Sequence, residues 1–192
     1  MSKTRMEAFS DGVLAIIITI MVLEMKVPHG TEFAALEPLV PVFVSYVLSF
    51  VYVGIYWNNH HHLLHAAQNI TGAILWANLH LLFWLSLFPF VTGWMGENQF
   101  APTTVALYGV VLFMAALSYT ILVRFLVGHH GKDSTIAAAI GSDVKGNVSL
   151  AIYAAAIALS FVFSWGSVAL YVLVAALWFI PDRRIEKRAA KS

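Results

Sequence analysis

The residues able to do chemistry crowd the start of this chain. Eight of the 21 charged side chains fall within residues 1–37. One apolar stretch there carries Arg5, Glu7, Ser10, Asp11, Thr19 and Glu24, with Gly12 among them. A second polar group is His60, His61, His62 and His65, followed by His80 in the next apolar run and His129-His130 later. Such residues could serve nucleophilic catalysis, metal binding, or the handling of ions and protons. Catalysis fits poorly: Ser10-Asp11 with a distant histidine is no triad signature, neither G-x-S-x-G nor H-E-x-x-H occurs, and there is no cysteine. His61 and His65 stand at i, i+4, a spacing that suits a shared metal ion. No carboxylate or cysteine adjoins them, so structural hydrogen bonding is favoured and pH sensing comes second. Neither a metal site nor a cofactor is expected.

The elements that position these residues follow from composition. Of 192 residues, 60% are apolar and 11% charged, against about 45–50% and about 25% in an ordinary soluble domain. No Asp, Glu, Lys or Arg occurs over 38–96, 98–123 or 146–181. So few charges cannot cover a water-facing surface. A soluble enzyme and a nucleic-acid binder are excluded, and a polytopic membrane protein is indicated. The net charge of +1 points to no anionic partner, and the lack of cysteine leaves the redox compartment undetermined. Glu7 and Asp11 interrupt the basic N-terminus, and no A-x-A site follows the apolar run, so the first segment is read as a retained helix.

A bilayer-crossing helix needs about 20 mostly apolar residues. The spacing predicts helices over 5–27, 38–64, 70–94 and 102–126. The stretch 146–181 is too long for one upright span, and Ser164-Trp165-Gly166-Ser167 is the plausible break. Two short helices over 147–164 and 167–181 result, with Trp165 and Trp178 expected as interfacial anchors; one strongly tilted helix is the alternative. Residues 182–192 form a basic tail. Six helices put Lys3, Arg5, Arg124, Lys132, Lys145 and the basic tail on one side, and only Lys26 on the other. By the positive-inside rule both termini are cytosolic, in the cell membrane. The expected fold is an all-α integral membrane domain of six transmembrane helices, the last two short. The connection 129–146 is expected to be cytosolic.

The first helix is the unusual one. Ionisable groups at membrane depth are costly and face a bundle interior or a water path. Gly12, Ile16, Thr19 and Leu23 fall on one helical stripe, apolar with a single hydroxyl. Spacing alone also allows a packed helix, with Asp11 paired to Arg5 and Thr19 bonded to its own backbone.

The run Arg5-Met6-Glu7-Ala8-Phe9-Ser10-Asp11-Gly12-Val13-Leu14-Ala15-Ile16, continuing through Thr19 to Val22-Leu23-Glu24, resembles the R-x-x-x-F-S-D-G-V-x-A-I-x-x-T-x-x-V-L-E signature of the lysosomal/endosomal potassium channel family and its prokaryotic homologues. Trp57-Asn58-Asn59-His60-His61, Asn78-Leu79 and Phe88-Pro89-Phe90 are similar to the family as well. The resemblance implies a homotetramer of six-helix subunits in the lipid bilayer, conducting monovalent cations with potassium preferred. Its pore is lined by the first helix of each of the four subunits and lacks a carbonyl filter; no T-V-G-Y-G segment occurs here. Carried over by position, Ile16 and Leu23 form apolar constrictions and Thr19 a hydroxyl ring. A ring of four Ile or Leu side chains makes a dry neck that gates by dewetting.

Glu24 could draw cations to the outer mouth or pair with Lys26. Ser10 and Asp11 are expected to brace the pore helix, in a polar network with partners among Arg5, Asn58, His60, His61, Trp76 and Asn78. Permeant potassium is the only ligand expected. A proton-conducting channel or a proton-coupled secondary transporter is the alternative. A transporter usually needs a midplane charge or broken helices at paired positions, and no charged residue lies in the middle of any predicted span.

Overall fold

Without water to satisfy backbone amides, an apolar chain in a bilayer closes its hydrogen bonds within helices. The computed structural model describes residues 2–131 and 144–179, and every regular element among them is helical. The helices are α1 (Lys3–Leu23), α2 (Val40–Ala66), α3 (Gly72–Ser86), α4 (Phe88–Glu97), α5 (Pro102–His130), α6 (Val144–Ser160) and α7 (Ser164–Phe179). A 3-10 segment, Phe33–Leu39, leads into α2. Among the described residues, four spans are long and apolar enough to cross a membrane: Lys3–Leu23, Phe33–Ala66, Gly72–Glu97 and Pro102–His130. The last two helices have 17 and 16 residues, about 25 Å each at 1.5 Å per residue, short of a core about 30 Å thick. The basic tail and Lys132 lie outside the described residues.

The boundaries differ from the expected ones for local reasons. α1 stops at Leu23, so Glu24 caps the helix and Lys26 lies in the loop beyond it. The third span, expected as one helix over 70–94, breaks at Leu87. Pro89 has no N–H to give back to a carbonyl four residues earlier, and its ring crowds that turn; it sits instead in the first turn of α4. The break expected at Ser164–Ser167 falls at 161–163. There the Val162 and Phe163 amides both close on the Leu159 carbonyl, at 2.9 and 2.8 Å. Gly166 belongs to α7, and a Cβ there would lie 2.5 Å from the Phe163 ring.

Both described ends of the chain lie at the same end of the bundle. Lys3 Nζ donates to the His65 carbonyl, joining the start of α1 to the end of α2. At the opposite end Lys26 Nζ binds Glu97 Oε1 at 2.8 Å, and Phe100 packs on Trp165 with ring centroids 4.8 Å apart. α7 starts beside Phe100 and finishes beside the first turns of α6, where Trp178 Nε1 donates to Ser149 Oγ at 2.9 Å. That bond turns the Trp178 N–H into the bundle rather than toward an interface. α5 packs against α3, α4, α6 and α7, whereas α1 packs against α2, α3 and α4.

Candidate pore-lining helix and the network that holds it

α1 presents two opposite faces. Met6, Ser10, Leu14, Ile17 and Met21 are buried against the rest of the chain. About 150° around the helix, at about 100° per residue, Gly12, Ile16, Thr19 and Leu23 are exposed. Ile16 is 57% exposed and Leu23 79%. A Cβ added at Gly12 would meet nothing within 4 Å. Thr19 Oγ1 lies 3.1 Å from the Ala15 carbonyl and 3.0 Å from the Ile16 carbonyl, so its proton is spent on its own helix. The hydroxyl oxygen keeps its lone pairs for an acceptor role on the exposed face.

Near the N-terminal end of α1 a buried relay crosses three helices. Ser10 Oγ donates to the Met6 carbonyl at 2.8 Å, and Asn78 Nδ2 donates to Ser10 Oγ at 3.0 Å. With that amide orientation Asn78 Oδ1 is the acceptor, so His60 Nε2 carries the proton across the 2.7 Å contact. All three side chains are 2% exposed or less. A separate bond runs from Trp57 Nε1 to Asp11 Oδ1 at 3.1 Å.

Arg5, Asn58, His61 and Trp76 join none of these bonds. Asn58 stands two residues before His60, and Trp76 two before Asn78, so each points away from the face its neighbour uses. Trp76 is 75% exposed. His61 is exposed and stacks between Trp57 and His65, with centroids 6.3 and 6.2 Å away. Among the described residues no group of three His, Cys, Asp or Glu side chains could hold a metal ion. Asp11 takes its bond from Trp57 rather than Arg5. Trp57 stands three residues before His60, next to it on the helix surface; that spacing was the available signal for its role.

A second buried cluster holds the other end of α1, and its uncharged hydroxyls gave little signal in the sequence. Ser49 Oγ meets Thr92 Oγ1 at 2.6 Å and the Tyr108 hydroxyl at 3.0 Å; Ser45 Oγ lies 2.8 Å from the Val42 carbonyl and 3.1 Å from the Thr92 carbonyl. Thr92 Oγ1 reaches Met21 Sδ at 3.9 Å. Ser45 and Ser49 are one turn apart, on the α2 face that meets α4. Gly96 lets these helices approach: a Cβ there would sit 2.5 Å from Ser45 Oγ and 2.6 Å from Val42 Cα. Ser10 and Met21 are about 16 Å apart along α1, so the helix is clamped near both ends.

Glu24 is exposed and makes no ion pair with Lys26, whose ammonium binds Glu97 instead. The Glu97 carboxylate holds the Lys26 pKa above its ordinary value, first through the hydrogen bond and then through charge.

α1 is thus clamped near both ends and turns a bare apolar stripe away from its own bundle. The family model for the endosomal/lysosomal potassium channel TMEM175 matches residues 5–89. A potassium channel of Chryseobacterium sp. (strain P1-3) is 54% identical over 187 residues, 97% of each chain. This chain belongs to the TMEM175 family.

Within that family, the crystal structure of a lysosomal potassium-selective channel TMEM175 homolog from Chamaesiphon minutus superposes with a TM-score of 0.81 at 28% identity, over 93% of this chain and 96% of that one. The human endosomal/lysosomal proton channel TMEM175 is 38% identical over 86 residues, which is 38% of this chain and 17% of the human one. The protein is accordingly an all-helical membrane ion channel and not an enzyme.

Proposed function

We propose that four copies of this chain surround a pore lined by α1 and conduct monovalent cations, potassium in preference to sodium. The observation that carries this reading is the exposed stripe of Gly12, Ile16, Thr19 and Leu23, set opposite the face that α1 buries. One helix cannot enclose a pore, so the stripe needs further copies to face. Rings of Ile16 and Leu23 make hydrophobic constrictions, where an ion loses hydration without replacement oxygens and a small widening opens the path. Between them, the Thr19 hydroxyls offer acceptor oxygens to a partly dehydrated cation. Potassium dehydrates more readily than sodium, which favours it there. Glu24, one residue beyond Leu23, adds negative charge at the outer mouth. Ser10, Asp11, Trp57, His60 and Asn78 hold the rotation of α1, and with it the azimuth of the stripe. The channel sits in the cell membrane with both termini cytosolic, as the distribution of Lys and Arg supports.

Single-channel recording of the purified protein in planar bilayers tests this. Ile16→Asn and Leu23→Ala are expected to raise conductance or leak, and Thr19→Ala to lower the preference for potassium over sodium. Unchanged selectivity in Thr19→Ala removes the hydroxyl ring from the mechanism. Slow, saturable flux in place of channel currents refutes the pore. Native mass measurement that finds only monomers refutes the assembly.

Proton conduction is the second reading, favoured by the likeness to the human endosomal/lysosomal proton channel. Reversal potentials under opposed potassium and proton gradients separate the two.

A further inference from the structure

Arg5 opens the family signature, yet the bracing bonds that engage Ser10 and Asp11 leave it out. Its side chain is exposed, and among the described residues no salt bridge or side-chain hydrogen bond engages its guanidinium. Lys3, two residues earlier, is engaged by the His65 carbonyl and lies 3.9 Å from Glu7. Asp11 is engaged by Trp57.

The azimuth of Arg5 explains the difference. Leu23 is 18 residues further on, five full turns at 3.6 residues per turn, so both leave α1 in the same direction. Gly12 and Ile16 lie within about 20° of that line, and Thr19 within about 40°. Glu7 and Asp11 point about 160° and about 120° away. Arg5 therefore continues the exposed stripe about 27 Å below Leu23, at the end of α1 that begins the chain.

From this, resting on the reading of α1 as the pore wall, we propose that Arg5 forms a ring of four positive charges at the cytosolic mouth. There it lowers the local potassium concentration and makes the channel rectify. The ring opposes cations entering from the cytosol and leaves those entering from the Glu24 end largely unaffected. Four unit charges about 8 Å from the axis in water, with a screening length of about 10 Å near 0.1 M salt, deplete potassium at the mouth about fivefold. Near 1 M salt the screening length is about 3 Å, and the depletion falls below about 1.5-fold.

The experiment uses the full chain in planar bilayers with symmetric KCl at about 0.1 M and about 1 M. The wild type is expected to pass less current when potassium enters from the cytosolic side at low salt, and to lose that asymmetry at high salt. Arg5→Gln should raise the low-salt current in that direction about three- to fivefold, with little change at high salt. Arg5→Lys should behave as wild type.

The chain has no cysteine, so Arg5→Cys gives a single reactive position. A cationic methanethiosulfonate added from the cytosolic side should restore the low current, and an anionic one should raise it. An Arg5→Gln channel whose low-salt current is unchanged, while Ile16→Asn still alters conductance, overturns the proposal and leaves the pore reading standing. An Arg5→Gln effect of equal size at both salts overturns it in favour of a structural role. If neither variant alters conductance, the assignment of α1 as the pore wall fails and takes the ring with it. A wild type that does not rectify at low salt refutes the ring without any variant.

Discussion

Replacing Asn78 by leucine tests the relay that holds α1. Leucine has the same branching and number of side-chain heavy atoms, so the change removes hydrogen bonding while nearly keeping the shape. Asn78 is buried and bridges His60 Nε2 at 2.7 Å and Ser10 Oγ at 3.0 Å. Ser10 keeps its own bond to the Met6 carbonyl, so its loss is confined to one incoming donor. His60 loses the acceptor of its Nε2 proton at a site 2% exposed. An orphaned buried donor costs about 1–3 kcal/mol, and an interhelical hydrogen bond in a membrane protein is worth about 0.6 kcal/mol on average. Together Asn78→Leu should destabilise the protein by about 1.5–3.5 kcal/mol. Near about 2–4 °C per kcal/mol for a chain of this size, its melting temperature in detergent should fall by about 3–14 °C.

Ser10→Ala should cost about 1 kcal/mol. The double variant should fall short of the sum by about 0.5–1 kcal/mol, because the pair shares one bond. Thr19→Val, on the exposed face of the same helix, should move stability by less than about 0.5 kcal/mol. Thermal unfolding followed by size-exclusion fluorescence measures all four. The reasoning is refuted if Asn78→Leu melts within a degree or so of wild type, or if Thr19→Val is as damaging.

Further outcomes follow from other contacts. Gly96→Val places a Cβ against Ser45 Oγ and the Val42 backbone; expression and melting should drop by the equivalent of about 1–3 kcal/mol or more. Trp57→Phe keeps an aromatic ring and removes the N–H that binds Asp11; a loss of about 0.5–1.5 kcal/mol in melting experiments is expected, and no loss would detach Asp11 from the bracing role. His130 donates from Nδ1 to the Leu126 carbonyl and accepts the Gln68 and Asn69 amides on Nε2. Hydrogen exchange at those two amides should accelerate in His130→Ala by about tenfold, reflecting about 1–2 kcal/mol of lost protection.

Several features of this protein are decided by the sequence alone. Charge-free runs over 38–96, 98–123 and 146–181 dictate a membrane protein, because burying apolar length in lipid depends on the local run of side chains and not on their partners. Helical periodicity likewise sets Gly12, Ile16, Thr19 and Leu23 on one stripe before any neighbour is known. The stretch that the family model matches, residues 5–89, begins at Arg5, where the run around Ser10-Asp11 starts. Even the hinge at Leu87 follows from one residue, Pro89, although reading the third span by hydropathy passes over it.

Partnership was left to the tertiary structure. Azimuth and depth on neighbouring helices choose His60 over His61, Asn78 over Trp76, and Trp57 over Arg5 for Asp11. The Ser45–Ser49–Thr92–Tyr108 cluster was hidden, since hydroxyls at helical spacing are read equally well as bonded to their own backbone. In a bilayer, helices gain little by burying apolar side chains against one another, as lipid is equally apolar. Small residues such as Gly96 and a few buried hydrogen bonds therefore select the pairing, and their geometry exists only once the helices meet. The same packing decides which side of α1 is buried and which is left bare.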